Sequence, residues 1–387
     1  MKKIVFIILV VLLAVTLNAR WNITGAGARA AGMGGAFIGV ADDATAVVWN
    51  PAGLTQLYRP EASIVSKYNS TKSELGNWDN VKNNFVLEFV SAAYPFMNGK
   101  MVAAVAYQRP IDLYTDFKTD YTTIDDKGGA DTFTFGLAYR ILSFVSAGIS
   151  TNLWFGNLEH DYRYYEYAYD TYWDEWYSYE YTYEYEQTFS GFNMVFGGMV
   201  DFNNLKNPIP LKLGITYRTA FDLEAEEDGF VTEETIWELG DYFYDEWETG
   251  GTVKNEMPSM LGFGASYRLG DNFTLALDYE TRAYGDSNIN AHEEDLKQFR
   301  VGAEYLFVTD FAVIPLRAGY QSVPTLMTDI NEDPIIGSGF SFGTGLIFER
   351  FAFDTAFTMA ANENDRGDSG IQDNTYTKFI FSGILYF

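Results

Sequence analysis

From Glu61 to Phe387 the chain keeps returning to a two-residue period, and that period is the strongest limit on its fold. Ile209, Leu211, Leu213, Ile215, Tyr217 and Phe221 share one parity, while Lys212, Gly214, Thr216 and Arg218 share the other. Leu275, Leu277 and Tyr279 oppose Thr274, Asp278, Glu280 and Arg282 in the same way. Phe299, Val301, Ala303, Tyr305 and Phe307 oppose Arg300, Gly302 and Glu304. Successive side chains of a strand point to opposite faces, so these segments read as strands with one greasy and one polar face. A soluble β-sandwich would alternate as well, and the connections separate the two. Tight connections at Phe96–Gly99, Leu142–Ser143, Asn203–Pro208, Gly270–Asp271, Thr309–Asp310 and Glu349–Arg350 alternate with long acidic ones at 111–130, 223–256, 285–295, 323–336 and 362–372. Short periplasmic turns and longer outer loops are the asymmetry of a bacterial outer-membrane barrel. The fold class is therefore all-β: a transmembrane antiparallel β-barrel of about fourteen strands, an even count, as closure with both ends periplasmic requires.

The two ends agree with export to that membrane. Met1-Lys2-Lys3 followed by IVFIILVVLLAV has the charged start and short apolar run of a secretory signal peptide over residues 1–19, with Ala19 at the cleavage point. The alternative, a membrane anchor, needs ~20 apolar residues, and this run is shorter. At the other end Phe379, Phe381, Leu385 and the terminal Phe387 lie on one parity of the last segment. Such an ending resembles the signal read by the outer-membrane insertion machinery; a final core strand of a periplasmic protein is the alternative. An aromatic share of 17% with 35 glycines suits lipid-facing strands with aromatic girdles. The net charge of −27 argues against basic-patch binding of nucleic acid.

One stretch does not alternate. Gly25 to Leu57 combines Gly25, Gly27, Gly32, Gly34 and Gly35, which let a backbone turn tightly, with Asp42, Asp43 and Asn50, whose short polar side chains satisfy turn amides. Asn50-Pro51 initiates a turn. Met33, Phe37, Ile38, Val40, Val47, Val48 and Trp49 make the stretch too apolar for a free linker, so it needs a partner surface. The sequence GARAAGMGGAFIGVADDATAVVWNPAGL, with its ADDA element and its Asn50-Pro51-Ala52 triplet followed by Gly53, resembles the N-terminal hatch of the FadL-type long-chain fatty acid transporter family. MPSMLGFGASYRLGDNFTLALDYE at 257–280 and FRVGAEYLFVTDFAVIPLRAGYQSVP at 299–324 are similar to the same family.

The resemblance implies a hatch over 20–59 inside a barrel over 60–387. It implies passive uptake of hydrophobic or amphipathic molecules, long-chain fatty acids foremost, with outer-membrane lipids around the barrel. Met33, Phe37 and Trp49 are then the apolar ligand contacts, and Arg20, Trp21, Asn22 and Ile23 the mobile end whose shift opens a path. For a ligand carboxylate the candidates are the arginines of lumen parity, Arg218, Arg300 and Arg317, since a buried anion needs a charge-assisted partner. The alternative is an ion-pair network with Asp278, Glu280, Glu304 and Asp354. Relatives that release ligand sideways use a kinked strand, and Lys100–Pro110 has no internal glycine to mark one.

The stretch 160–187 is not part of that pattern. Tyrosines occupy every odd position from Tyr177 to Tyr185, so one face of an extended strand is a tyrosine stripe. We read it as an extracellular hairpin, either a stacking surface for a glycan or apolar solute or a rigid, soluble projection. The acid clusters Glu224–Asp228, Asp245–Glu248, Glu293–Asp295 and Asn362–Asp368 lack the loop spacing of a calcium site, so no metal and no cofactor is assigned. Chemistry is scarce: the two histidines, His160 and His292, fall in outer connections, and there is no cysteine. No enzyme activity is expected. A non-transporting barrel, acting as a secretion accessory or surface-binding protein, is the second functional reading.

Overall fold

The computed structural model describes residues 25–75, 78–285, 287–289, 294–365 and 370–387. The expected leader at 1–19, the stretch Arg20–Ile23, His292, Glu293 and residues 366–369 lie outside these residues. The strands, in chain order, are β1 (Glu61–Leu75), β2 (Trp78–Phe96), β3 (Met101–Asp112), β4 (Thr115–Lys118), β5 (Thr122–Leu142) and β6 (Val145–Phe155). They continue with β7 (Asn157–Asp170), β8 (Glu175–Asp201), β9 (Leu211–Arg218), β10 (Phe221–Trp237), β11 (Tyr242–Met257) and β12 (Met260–Leu269). The last are β13 (Phe273–Arg282), β14 (Leu296–Val308), β15 (Val313–Thr328), β16 (Pro334–Ile347), β17 (Phe351–Asp365) and β18 (Ile371–Tyr386).

Fourteen of these close into one antiparallel barrel: β1, β2, β3, β5, β6, β8, β9 and then β12 through β18. The seam is β1 against β18, running from Glu61 opposite Tyr386 to Leu75 opposite Gln372. A closed barrel leaves no strand edge unpaired in lipid, which is why only closure satisfies every backbone group there. The parity expected from sequence holds: Leu275, Leu277, Tyr279, Phe299, Tyr305 and Phe307 are exposed on the outside, while Asp278, Arg300 and Glu304 are buried inside. Phe379, Phe381, Leu385 and Phe387 all face outward, and the Phe387 N–H donates to Pro60 O at 3.0 Å.

The long acidic connections differ from the loops expected. Most of 111–130 and 223–256 is strand, and β4, β5, β7, β8, β10 and β11 form a six-stranded sheet above the barrel rim. Continuing the ladder pairs backbone groups that a loop would leave to water. Gly128 and Gly156, with φ of 123° and 118°, sit where wall becomes sheet, a conformation open to glycine without strain. His160 accordingly lies on β7, buried, with its Nδ1 2.5 Å from Asp126 Oδ1. An irregularity does occur near Lys100–Pro110: the β3–β5 register shifts between Gln108 and Ile111. Pro110, which has no N–H to give the ladder, explains it without a glycine.

The largest buried cluster lies in the lumen, where Met33, Phe37, Val47 and Leu54 of the 25–57 segment meet the wall. Short helical turns at Ala28–Gly32, Ala46–Trp49 and Pro51–Gln56 compact that segment. Asn50 caps the last of them by accepting from the Ala52 N–H at 3.2 Å.

Candidate functional site

The 25–57 segment is fastened to the lumen wall by polar side chains of the inward parity. Asp278 Oδ2 accepts from the Phe37 and Ile38 N–H groups at 2.7 and 2.9 Å. Ser266 donates to Gly39 O, Ser150 to Val47 O and Ser341 to Gly32 O at 2.8, 2.8 and 3.1 Å. The Ala28 N–H donates to Ser382 Oγ at 2.7 Å. Asn50 Nδ2 bridges Ile38 O within the segment and Gly198 O of the wall, at 3.0 and 3.2 Å. Asp42 pairs with Arg29, and Arg29 reaches Glu304 at 3.0 Å. Glu304 accepts from Arg317 at 2.7 Å, and Arg317 donates to Asp354 at 2.6 Å. This chain of alternating charge ties the segment to β14, β15 and β17.

The wall makes room for the segment with glycine. A Cβ at Gly302 would lie 2.8 Å from Met33 Cβ, and one at Gly264 would lie 2.7 Å from Ile38 Cβ. On the segment side, a Cβ at Gly34 would lie 2.8 Å from Tyr320 N. Glycine inside a strand marks such a close backbone approach, and these positions carry that signal in the sequence.

Met33 and Phe37 are fully buried within this packing, and Phe37 meets Trp49 edge to face at 5.9 Å. Trp49, Arg218 and Arg300 border a gap of about 30 Å³ between segment and wall. Arg300 donates to Gln298 at 2.5 Å and lies 3.4 Å from Glu280; Arg317 is held by Glu304 and Asp354. Arg282, which sequence placed on this face without a role, is fully buried, paired with Glu280 at 2.6 Å and bonded to Gln298 at 2.9 Å. Asp43 is held within the segment by Thr45, whose N–H donates to it at 2.9 Å, and burial pushes its carboxyl above the usual range.

Beyond the segment, toward the outside, the lumen holds a chamber of about 300 Å³ whose lining residues all come from outside 25–57. Its lining has two sides. Lys67, Asn69, Asn84, Asn374 and Lys378 come from β1, β2 and β18, neighbours across the seam. Leu296, Val323, Pro324, Leu326 and Met327 come from β14 and β15. That second side is continuous with a buried apolar cluster at the rim, where Leu296, Leu326 and Tyr284 join Trp154, Phe189, Leu223 and Met257. Sequence reasoning missed this chamber. The available signal was the lumen parity of Lys67, Asn69, Asn374 and Lys378 on strands whose other parity is apolar.

The tyrosine stripe lies on the face of β8 that continues the lumen side. Tyr183 stands opposite Tyr162, and Tyr181 opposite Tyr164. His160 stacks on Tyr185 at 4.4 Å between ring centres, and Tyr183 donates to Glu227 at 2.6 Å. Burial, then the carboxylates Glu166 and Glu227, pushes the Tyr164 and Tyr183 hydroxyls up to about 12, so both are neutral in any physiological medium.

A closed barrel of fourteen strands with an apolar belt and an inward-folded N-terminal segment defines a bacterial outer-membrane protein of FadL-type architecture. A family model described as BamG matches residues 22–380, and the chain belongs to the BamG family. No curated protein matches the sequence. Among solved structures, the chain is similar to the Pseudomonas putida toluene transporter TodX, with 14% identity, TM-score 0.66, and 95% of this chain and 99% of that one covered. It is similar to the Ralstonia pickettii toluene transporter TbuX, with 15% identity, TM-score 0.63, and coverage of 95% and 100%. A Pseudomonas aeruginosa FadL homologue is similar at 10% identity, TM-score 0.65, and coverage of 95% and 100%.

Proposed function

We propose that this barrel carries hydrophobic or amphipathic small molecules across the outer membrane, and that the 25–57 segment is the hatch that gates them. The observation that carries the reading is the two-sided chamber in the lumen wall, on the outer side of that segment. Apolar pockets with a few placed polar groups suit such molecules, and the toluene transporters among the structural neighbours are in keeping with it. Acyl amphiphiles, long-chain fatty acids included, are the leading class, because a hydrocarbon tail fits the β14–β15 side and a polar head the β1–β18 side. The hatch is tied down by hydrogen bonds and ion pairs, contacts that can be exchanged for water when residues 20–23 shift. Residues 1–19 serve as the export signal, and the terminal Phe387 presents the last strand to the insertion machinery.

Reconstitution into liposomes tests the proposal. Uptake of a long-chain fatty acid should exceed that of empty vesicles, while sucrose swelling stays near the empty-vesicle rate; rapid sucrose swelling or no fatty-acid uptake overturns it. The acidic, aromatic outer sheet favours the second reading, a surface-binding barrel, if no solute of any class crosses.

A further inference from the structure

The outer sheet ends in a strand whose far edge is bare. Among the described residues β11 pairs with β10 alone, and every residue from Tyr242 to Glu248 is exposed. The Trp237 N–H donates to Asp241 O at 2.9 Å, which makes 237 and 241 a bonded pair. Bonded and non-bonded pairs alternate along an antiparallel ladder, so odd residues of β11 bond to β10 and even residues aim their N–H and C=O groups away from the sheet. The base of the strand follows this parity: Asn288 accepts from the Glu256 N–H at 2.9 Å and donates to Lys254 O at 2.6 Å, and Ser287 donates to Glu256 O at 2.6 Å. A connection thus occupies the edge at 254–256 much as a further strand would. Higher up, among the described residues, no backbone group meets Tyr242, Tyr244, Glu246 or Glu248 from that side, and the Glu246 N–H is taken only by the adjoining Asp245 side chain, at 2.9 Å.

Long edges are usually blunted by lysine, proline or a bulge. From Tyr242 to Val253 there is neither lysine nor proline, and the β10–β11 register runs unbroken. Backbone pairing is therefore open, and charge sets what can use it. No lysine or arginine occurs from Phe221 to Val253. Glu246 and Glu248 share the face away from the tyrosine stripe with Asp228 and Glu234, and Glu233 stands directly opposite Asp245. Like charges so placed repel, and a cationic strand relieves them. A second copy of this chain would bring its own Asp245, Glu246 and Glu248 to the contact instead.

Independently of uptake, we propose that the β11 edge is a docking site for a cationic, extended segment of another protein at the cell surface, added antiparallel to β11 as a further strand of the outer sheet. Residues of the segment opposite Tyr244, Glu246 and Glu248 point their N–H and C=O groups at β11 and their side chains to the acidic face, which selects lysine or arginine there. The residues between them lie beside Phe243 and Trp247, which suits apolar side chains. Main-chain bonds hold such a segment, and alternate side chains select it.

The test is fluorescence anisotropy of a labelled peptide, Thr-Lys-Val-Lys-Val-Lys-Thr with blocked ends, on the full chain in a neutral maltoside detergent. The peptide should bind saturably, and its counterpart with glutamate for lysine should not. Methylating the backbone nitrogens of the lysines removes the donors that face β11, whereas methylating those of the valines alters only the far edge, at equal charge. The first change should weaken binding about 10-fold more than the second, the size of one or two hydrogen bonds. On the protein, Glu248→Pro removes an N–H that gives nothing to β10, a substitution an edge tolerates, and should weaken the peptide about 10-fold. Glu246→Gln with Glu248→Gln should weaken it about 3-fold and flatten its salt dependence. The two methylated peptides are compared on the unaltered chain, so their ranking is decisive whatever a variant does to the outer sheet. Equal affinity of the two leaves attraction by charge alone and overturns the inference, as does the lack of saturable binding at ~1 mM peptide. A dimer in the absence of peptide that Glu248→Pro returns to monomer would assign the edge to a second copy and overturn it too. None of these outcomes bears on uptake.

Discussion

Replacing Asp278 by alanine isolates the contact that holds the centre of the inner segment. Oδ2 of that carboxylate accepts two backbone N–H groups, from Phe37 and Ile38, at 2.7 and 2.9 Å, and Asp278 is fully buried. Its removal leaves two buried donors without an acceptor, at about 1–3 kcal/mol each. Taking the low end for both gives about 2 kcal/mol, roughly a 30-fold shift toward local opening. Hydrogen exchange followed by mass spectrometry in micelles reads that shift as faster exchange of the Phe37 and Ile38 amides. The effect should be confined to the 25–57 segment, because the β13 ladder bonds are backbone to backbone. Asp278→Asn, which keeps an acceptor oxygen without the charge, should fall between wild type and alanine. Unchanged exchange in Asp278→Ala would refute the assignment of these bonds as the fastening of the segment.

Three further outcomes follow from the same geometry. Gly302→Val places a side chain against Met33, where overpacking costs about 1–3 kcal/mol; sucrose swelling of proteoliposomes should rise while the barrel stays heat-modifiable, and an unchanged rate counts against the close fit. Deleting Phe387 should lower the amount of folded barrel in the outer-membrane fraction, and normal insertion would argue against its role as a sorting signal. Burial, with Asp42 adding to it and Arg29 opposing it, raises the folded pKa of Asp43 above its free value. Its contribution is therefore full below the unfolded value of about 4 and is lost as pH rises through the folded one. Trypsin cleavage after Arg29, taken relative to cleavage of a free arginyl peptide at each pH, should accelerate over that rise, and Asp43→Asn should make the slope shallower.

Much of the architecture was legible without coordinates. The alternation at Leu275–Arg282 and Phe299–Glu304 assigned lipid and lumen faces correctly, because side-chain parity is a local property of an extended chain. The tight turns fell where strands reverse for the same local reason. The glycines and apolar residues of Gly25–Leu57 announced a segment in need of a partner surface. The outer sheet was less legible: parity put the tyrosines of 177–185 on one face and left open which face continued the lumen. That depended on how β8 passes from barrel into sheet.

What the amino-acid sequence determined by itself is a set of two-faced strands, an even count that closes, and a compact apolar segment ahead of them. What only the tertiary structure decided is the company each lumen residue keeps. Asn69 and Lys378 stand at opposite ends of the chain and become neighbours only because β1 pairs with β18 at the seam. The apolar side of the chamber depends likewise on which strands face one another across the lumen. Local geometry sets which way a side chain points; closure of the barrel sets what it points at.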